Sequence, residues 1–484
     1  MKRLKWFLGV VIILSLVLAI NMLLPAAMTS SSRIDRDGER IEGSIYTRYQ
    51  DHIYASVPSN GAYRMDQVDV ASFRLISNDF QSRQFAVDQH HVYCANLSLP
   101  KLNPIRTRHL GYGYLSDGQH TFYCASQSEP NAKLGPVNYL FQQLLYSMAL
   151  GAKPQNYIYP WFELESSPQP YQVLLDTQIA SNGTMTYFAG QQMPQAQSAT
   201  LRKLPKYFSD GDQRESDEYF ADGQHVYYQH QRLEIKDQPE LYQLEVEGLS
   251  LQPYLIAPLH GDVYLREIAF NRKHAPYRLL SAAGSHVAHV LFASADGIYF
   301  YNTEAKALQR AGDHPMQKGQ WTEMAPSIFT DGKRIVYLEY ADRWGNNRSP
   351  GLKARSTHLY QLDEATSSTW QKLGDVDANF GQVWKNGDAL YYFDQLGNGQ
   401  QILQTIYRIP DRTLANQLIT TEQGSNNIRR LVEDKQLIPV QKTKLLSATT
   451  RYTRSYYGVF IAIGGFGLLL MFILYIYRRR SSTT

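Results

Sequence analysis

Apolar residues gather into two long runs at the ends of the chain, and between them they alternate with polar residues over short stretches. Trp6 to Leu24 is interrupted only by Ser15 and Asn21, and Tyr457 to Tyr477 carries no charge. Each run reaches the ~20 residues that cross a ~30 Å hydrocarbon core as a helix. The pattern predicts transmembrane helices over residues 1–28 and 455–478, with 479–484 as a tail. The first run exceeds the apolar core of a signal peptide, and the Leu-Pro-Ala-Ala-Met after it offers no clean small-x-small cleavage site, which favours an uncleaved anchor over a removed leader. Residues between the runs read as short strands separated by Asp-Gly, Asn-Gly and Pro turns. Val137 to Leu150 is the exception, a helix ended by Gly151 and Pro154 that either packs on a sheet or lies on a membrane surface. Residues 422–454 are polar and poor in aromatics, and read as a linker to the second run.

The strands pair into hairpins that repeat. Phe85 to Cys94, Tyr114 to Cys124 and Tyr219 to Tyr228 each place Asp (Asp88, Asp117, Asp222) between an apolar run and an aromatic one. An Asp side chain bonds its own backbone two residues on, which makes it a natural turn residue. Tyr54 and Tyr93, and again Tyr187 and Tyr227, stand about 40 residues apart, a period typical of repeat and propeller architectures. Leu291–Tyr301, Ile328–Tyr337 and Val383–Tyr392 keep the same grammar without the His. The last two are followed by strands around His358–Tyr360 and Ile406–Ile409. This rhythm, about 50 residues long, resembles that of propeller blades. A closed ring also returns its ends to one place, as two spans in one membrane require.

Asp222 to Tyr228, with its paired tyrosines, and Val70-Ala71-Ser72-Phe73 behind Asp69 resemble the two elements of the DKNYY family of bacterial proteins. Gly223-Gln224 stand where the family has Lys-Asn. The resemblance covers roughly residues 45–235 and implies a repeated β module at a bacterial surface or membrane. It implies no reaction and therefore no catalytic positions. The organisation expected is a β-repeat region over 29–235 with a helical insertion near 137–150, and a propeller-like region over 236–421. In sum, the chain reads as an all-β, propeller-like extracytoplasmic domain of repeated hairpins, flanked by one transmembrane helix at each end.

Charge fixes the orientation. Lys2, Arg3 and Lys5 precede the first run without an acidic residue, and Arg478, Arg479 and Arg480 close the second, so both termini are expected in the cytoplasm and the middle in a bacterial periplasm. Removing those six leaves 42 of the 48 Lys+Arg against 44 Asp+Glu, so the net +4 is no footprint for nucleic acid. Tyr, at 35 against 19 Phe and 6 Trp, suits half-buried sheet positions that need an apolar body and a polar tip. The two cysteines, Cys94 and Cys124, fall in the part expected to be oxidising, where a disulfide is the default. They are the sixth and seventh residues after their repeat Asp, a one-residue offset that turns a side chain to the other face of a strand. A bridge between hairpins and two buried thiols are both compatible with that offset.

Candidate chemistry is sparse. The pairs Asp88/His91, Asp117/His120 and Asp222/His225 offer metal-ligating residue types, but turns that repeat would repeat them anyway. Asp375-Val-Asp377-Ala-Asn379 begins like a calcium loop, yet has Phe380 where Gly belongs and Asn386 where a Glu belongs. Ser98 and Lys101 have the spacing of a Lys-activated serine without its companion motifs. Asp210, Asp212, Glu215, Asp217 and Glu218 read as a solvated acidic loop, and Gly111-Tyr-Gly113 lacks the rest of a dinucleotide loop. No catalytic residue, cofactor or metal is expected. The reading is a membrane-anchored periplasmic protein that binds or scaffolds an envelope protein or polymer. Its alternatives are an envelope hydrolase or lyase, or an accessory subunit of an inner-membrane complex in which Gly458, Ala462, Gly464, Gly465 and Gly467 permit close helix packing.

Overall fold

The computed structural model describes residues 33–452, except 59, 78, 148–149, 209–210, 247–251, 282–284, 346–350, 365–368 and 378. Both apolar runs, the small residues of the second run, and the tail lie outside the described residues. Among the described residues no helix is long and apolar enough to cross a membrane.

The fold is all-β, and its unit is a four-stranded antiparallel meander. The first comprises Glu39–Arg40, Tyr46–Tyr49, His52–Val57 and Gly61–Arg64; the second, Arg74–Leu75, Phe85–Val87, Val92–Cys94 and Leu97–Leu99. The third has Arg108–Gly111, Tyr114–Ser116, Thr121–Cys124 and Trp161–Glu163, and the fourth Gln172–Leu174, Ile179–Ser181, Thr186–Phe188 and Gln191–Gln192. The fifth (Arg202–Phe208, Gln213–Ala221, His225–Tyr228, Gln231–Lys236) and the sixth (Tyr242–Glu245, Tyr254–Ala257, Asp262–Leu265, Ile268–Ala269) merge into one eight-stranded sheet. They do so through a parallel pairing of Lys206–Phe208 with Gln243–Glu245.

The seventh meander holds Arg278–Ser281, Leu291–Ser294, Gly297–Asn302 and Ala307–Gly312. The eighth holds Thr322–Ala325, Ile328–Thr330, Ile335–Trp344 and Leu352–Leu362, and the ninth Trp370–Val376, Gly381–Asn386, Ala389–Asp394 and Ile406–Ile409. All six hairpins expected from the sequence are present as the central strands of their meanders.

Central strands such as Phe85–Val87, Val92–Cys94 and Thr121–Cys124 are buried along their whole length. Both faces are covered because the second sheet shares cores with the first and the third, and the third with the fourth, so these strands read as continuous apolar runs rather than alternations. One core joins the first and second meanders through Tyr46, Phe73 and Tyr93, and another joins the third and fourth through Tyr114, Tyr123 and Tyr187. Equivalent cores join the fifth to the sixth, the sixth to the seventh, the seventh to the eighth and the eighth to the ninth.

The described residues divide into two compact units, residues 33–202 with 229–232, and residues 203–228 with 233–452. The division runs through the fifth meander, most of which stays with the sixth in the shared eight-stranded sheet. The expected linker over 422–454 is structured as far as residue 451. Helices α1 (Arg412–Thr420) and α2 (Ser425–Glu433) cap the core of the ninth meander. Ile438–Pro439 then pairs at the edge of that meander, and Lys442–Arg451 forms the fifth strand of the eighth. Polar composition hid that strand because Thr443, Lys444 and Arg451 are exposed and the buried Thr450 is itself polar. The insertion helix runs Pro136–Ser147, inside a segment that leaves the third meander after Cys124 and returns at Trp161.

Candidate functional site

The repeated Asp is spent on its own turn. Asp88 Oδ1 accepts from the amides of His90 (2.7 Å) and His91 (2.6 Å), and Asp117 Oδ1 from those of Gln119 (2.8 Å) and His120 (2.7 Å). Asp222 does the same with Gln224 and His225, and Asn182 and Asp331 repeat the pattern in the fourth and eighth meanders. Asn182 is a copy that a search for Asp misses; Tyr187 behind it was the visible signal. The second oxygen reaches further. Asp88 Oδ2 accepts the Asp69 amide (2.9 Å) and the Tyr93 hydroxyl (2.7 Å), and Asp117 Oδ2 accepts the Asn103 amide (2.9 Å). The Ser72 hydroxyl bonds Asp69 and receives the Gln89 amide, so the two short motifs are one hydrogen-bonded assembly. Burial alone would raise the Asp88 carboxyl, but the Asp69, His90 and His91 amides and Tyr93 outweigh it and hold it below its ordinary value.

Tyrosine follows a longer rule. Tyr46, Tyr114 and Tyr219 lie in the second strand of the first, third and fifth meanders, and all three are fully buried. Each hydroxyl donates to a carbonyl just before the matching strand of the next meander, Gln84 (2.7 Å), Gln178 (2.9 Å) and Pro253 (3.0 Å). Meanders are therefore riveted in pairs. Residues 46–231 match the DKNYY family. No curated protein and no solved structure matches the chain.

The DKNYY segment thus opens in the first meander and closes in the last strand of the fifth. Within it Cys94 and Cys124 form a disulfide with Cα atoms 6.1 Å apart, joining the second meander to the third. The Asp-x-x-His pairs do not converge. His91 and His225 stay beside their own Asp, 3.7 and 3.3 Å away, whereas His120 faces Glu163. No cluster of three metal-ligating side chains exists among the described residues. Lys101 pairs with Glu163 rather than Ser98. Asp212 and Asp217 pair with Arg214 and Lys203, and Asp210 lies outside the described residues. Asp375 pairs with Lys372 while Asp377 accepts the Gln423 amide, so the calcium-like sequence is divided between two tasks.

Beyond the DKNYY segment, two arrangements appear that no local motif announces. The first is a buried polar seam. His286 Nε2 lies 2.8 Å from Asp394 Oδ2, which also accepts the Gly397 amide, and Tyr392 bonds the other oxygen. The Asp394 amide donates to Thr405, whose own amide donates to Glu339, and Glu339 holds Lys442. His289 is clasped by Thr357 and Thr450, and burial pulls its imidazole down to about 4, so it is neutral. Side chains from the seventh, eighth and ninth meanders meet here and bond to one another, except that the buried Nδ1 of His286 meets no partner among the described residues.

The second is an open cleft of about 640 Å³ between the seventh and eighth meanders. Its walls carry Arg278, His314, Gln317, Trp321 and Glu323 over an apolar floor of Met316 and Phe329. Burial lowers the His314 imidazole, and its Nδ1 meets no hydrogen-bond partner among the described residues. The Arg334 guanidinium lies 4.9 Å from the Trp321 ring, fixing its plane. Such a surface offers stacking, a cation and hydrogen bonds, and the Ser294 hydroxyl in its wall is engaged by the His274 carbonyl and the Asp296 carboxylate.

Proposed function

We propose that this chain is a membrane-anchored periplasmic β-repeat protein that binds or scaffolds another component of the bacterial envelope without catalysing a reaction. Its meanders would close into propeller-like arrays, and the cleft bearing Arg278 and Trp321 would take a protein segment or a polymer. The observation that carries this reading is the employment of the polar residues. The repeated carboxylates hold backbone amides, the seam of His286, Asp394 and Glu339 is bonded within itself through all but the His286 Nδ1 and is closed to solvent, and the mixed aromatic and charged side chains stand in the open cleft. The residue types with catalytic potential are therefore structural, and the accessible ones suit recognition.

A photo-crosslinking residue at Gln317, introduced in cells, should capture a discrete envelope component, and Trp321→Ala with Arg278→Ala should abolish the capture. Capture that persists in the double variant would refute the cleft as the binding surface. A periplasm-dependent reporter fused at Thr484 should be silent; activity there would refute the two-span topology. The convergence of His286, Asp394 and Glu339 is what favours a hydrolase or lyase instead. Their side chains are 6% exposed or less, which leaves no approach for a substrate.

A further inference from the structure

We infer that the insertion helix Pro136–Ser147 is an interfacial anchor that lies in the headgroup region of the bilayer. The inference rests on the reading of the two apolar runs as membrane spans. From Leu134 to Ala152 the chain carries no charge, and Lys133 and Lys153 flank the stretch. None of the helix side chains described is buried, and Val137 (74% exposed), Phe141 (52%) and the following Leu150 (68%) present apolar surface to the outside. A helix of this length is marginal in water unless an apolar face is covered. Lipid suits it better than a protein groove would. Lysines at both ends can snorkel, Tyr139 and Tyr146 have the amphipathic rings enriched at membrane interfaces, and there is no acidic or basic face to read a charged partner.

Position agrees. The helix is followed by Lys153 and Pro154, which attach to the first meander: Lys153 donates to the Ala62 carbonyl at 3.0 Å and Tyr63 to that of Pro154 at 2.6 Å. The same small sheet receives the chain arriving from the first run, since Gly38 donates to Ile34 and sits so tightly against Thr47 that no Cβ would fit. The sheet that meets the N-terminal run therefore also carries the helix.

The test uses the full chain in vesicles. Both native cysteines are in the disulfide, so one introduced cysteine is the single free thiol for an environment-sensitive fluorophore. Labels on Val137→Cys, Phe141→Cys and Leu150→Cys should shift to the blue and be quenched several-fold by spin-labelled lipid. A label on Leu469→Cys reports the second run. If Leu469 is quenched and the helix labels behave as in water, the anchor is refuted while the spans stand. If Leu469 also behaves as in water, the topology fails and the anchor with it. In V137D/F141D, the label at Leu150 should lose its quenching; unchanged quenching there would refute the helix as the docking element.

Discussion

Asp88 gathers four hydrogen bonds on one carboxylate, from three amides and a phenol. Its folded pKa, like that of Asp117, lies below the unfolded value near 4. The stability these groups contribute is therefore complete above that value and is lost as pH falls through the lower folded ones. Urea midpoints of the purified chain should drop between pH 6 and pH 3. Asp88→Asn should lower stability at pH 6 by about 1–3 kcal/mol and flatten the pH dependence, because the amide nitrogen cannot accept where the second oxygen did. Glycine gives a second contrast. Gly223 (φ +89°) has open space around it, whereas a Cβ at Gly190 (φ +76°) would stand 2.7 Å from Phe162 and 2.8 Å from Tyr123. Gly223→Ala should cost about 1 kcal/mol from backbone strain alone, and Gly190→Ala distinctly more, as read by thermal melts. The turn was legible in the sequence because its chemistry spans three residues. The docking of Asp69 on Asp88 was not, because the two lie 19 residues apart and nothing in either motif names the other.

The hairpins were visible because their two strands share a turn and are both apolar. Outer strands such as Arg74–Leu75 are two residues long and have no periodicity to read. Lys442–Arg451 was missed for the opposite reason: it is long, but only Leu446, Ala448 and Thr450 are buried, and one of those three is polar. The one-residue offset of the cysteines looked like an obstacle to pairing. The structure joins them because the second and third meanders share a core as separate sheets rather than extending one sheet, so equivalent positions need not align. A Cys94→Ser/Cys124→Ser double variant should lose about 3–4 kcal/mol in denaturant, since the bridge closes a separation of 30 residues. Reductant should bring the parent chain to the same midpoint and leave the variant unmoved.

At the scale of the molecule, the sequence read correctly as all-β repeats with a DKNYY segment, while the cleft and the polar seam were out of reach. Both are made by residues from different meanders, so their chemistry exists only after the sheets stack. The unit division shows the same limit. The merger of the fifth and sixth meanders depends on a three-residue parallel ladder that leaves no trace in composition.

The placement of the last strand sets an order of assembly during synthesis. Leu352–Leu362 pairs with Lys442–Arg451, so the eighth meander stays one strand short until the ninth and both capping helices have been made. Its long exposed edge is an invitation to foreign strands until then. A chain ended at Gln441 should therefore appear in aggregates or be degraded, while one ended at Tyr452 should remain in the dispersed fraction on sedimentation. The strand arrives immediately before the second apolar run, so the emergence of that run coincides with the closing of the edge. Completion of the sheet and emergence of the second apolar run are thereby one event in time.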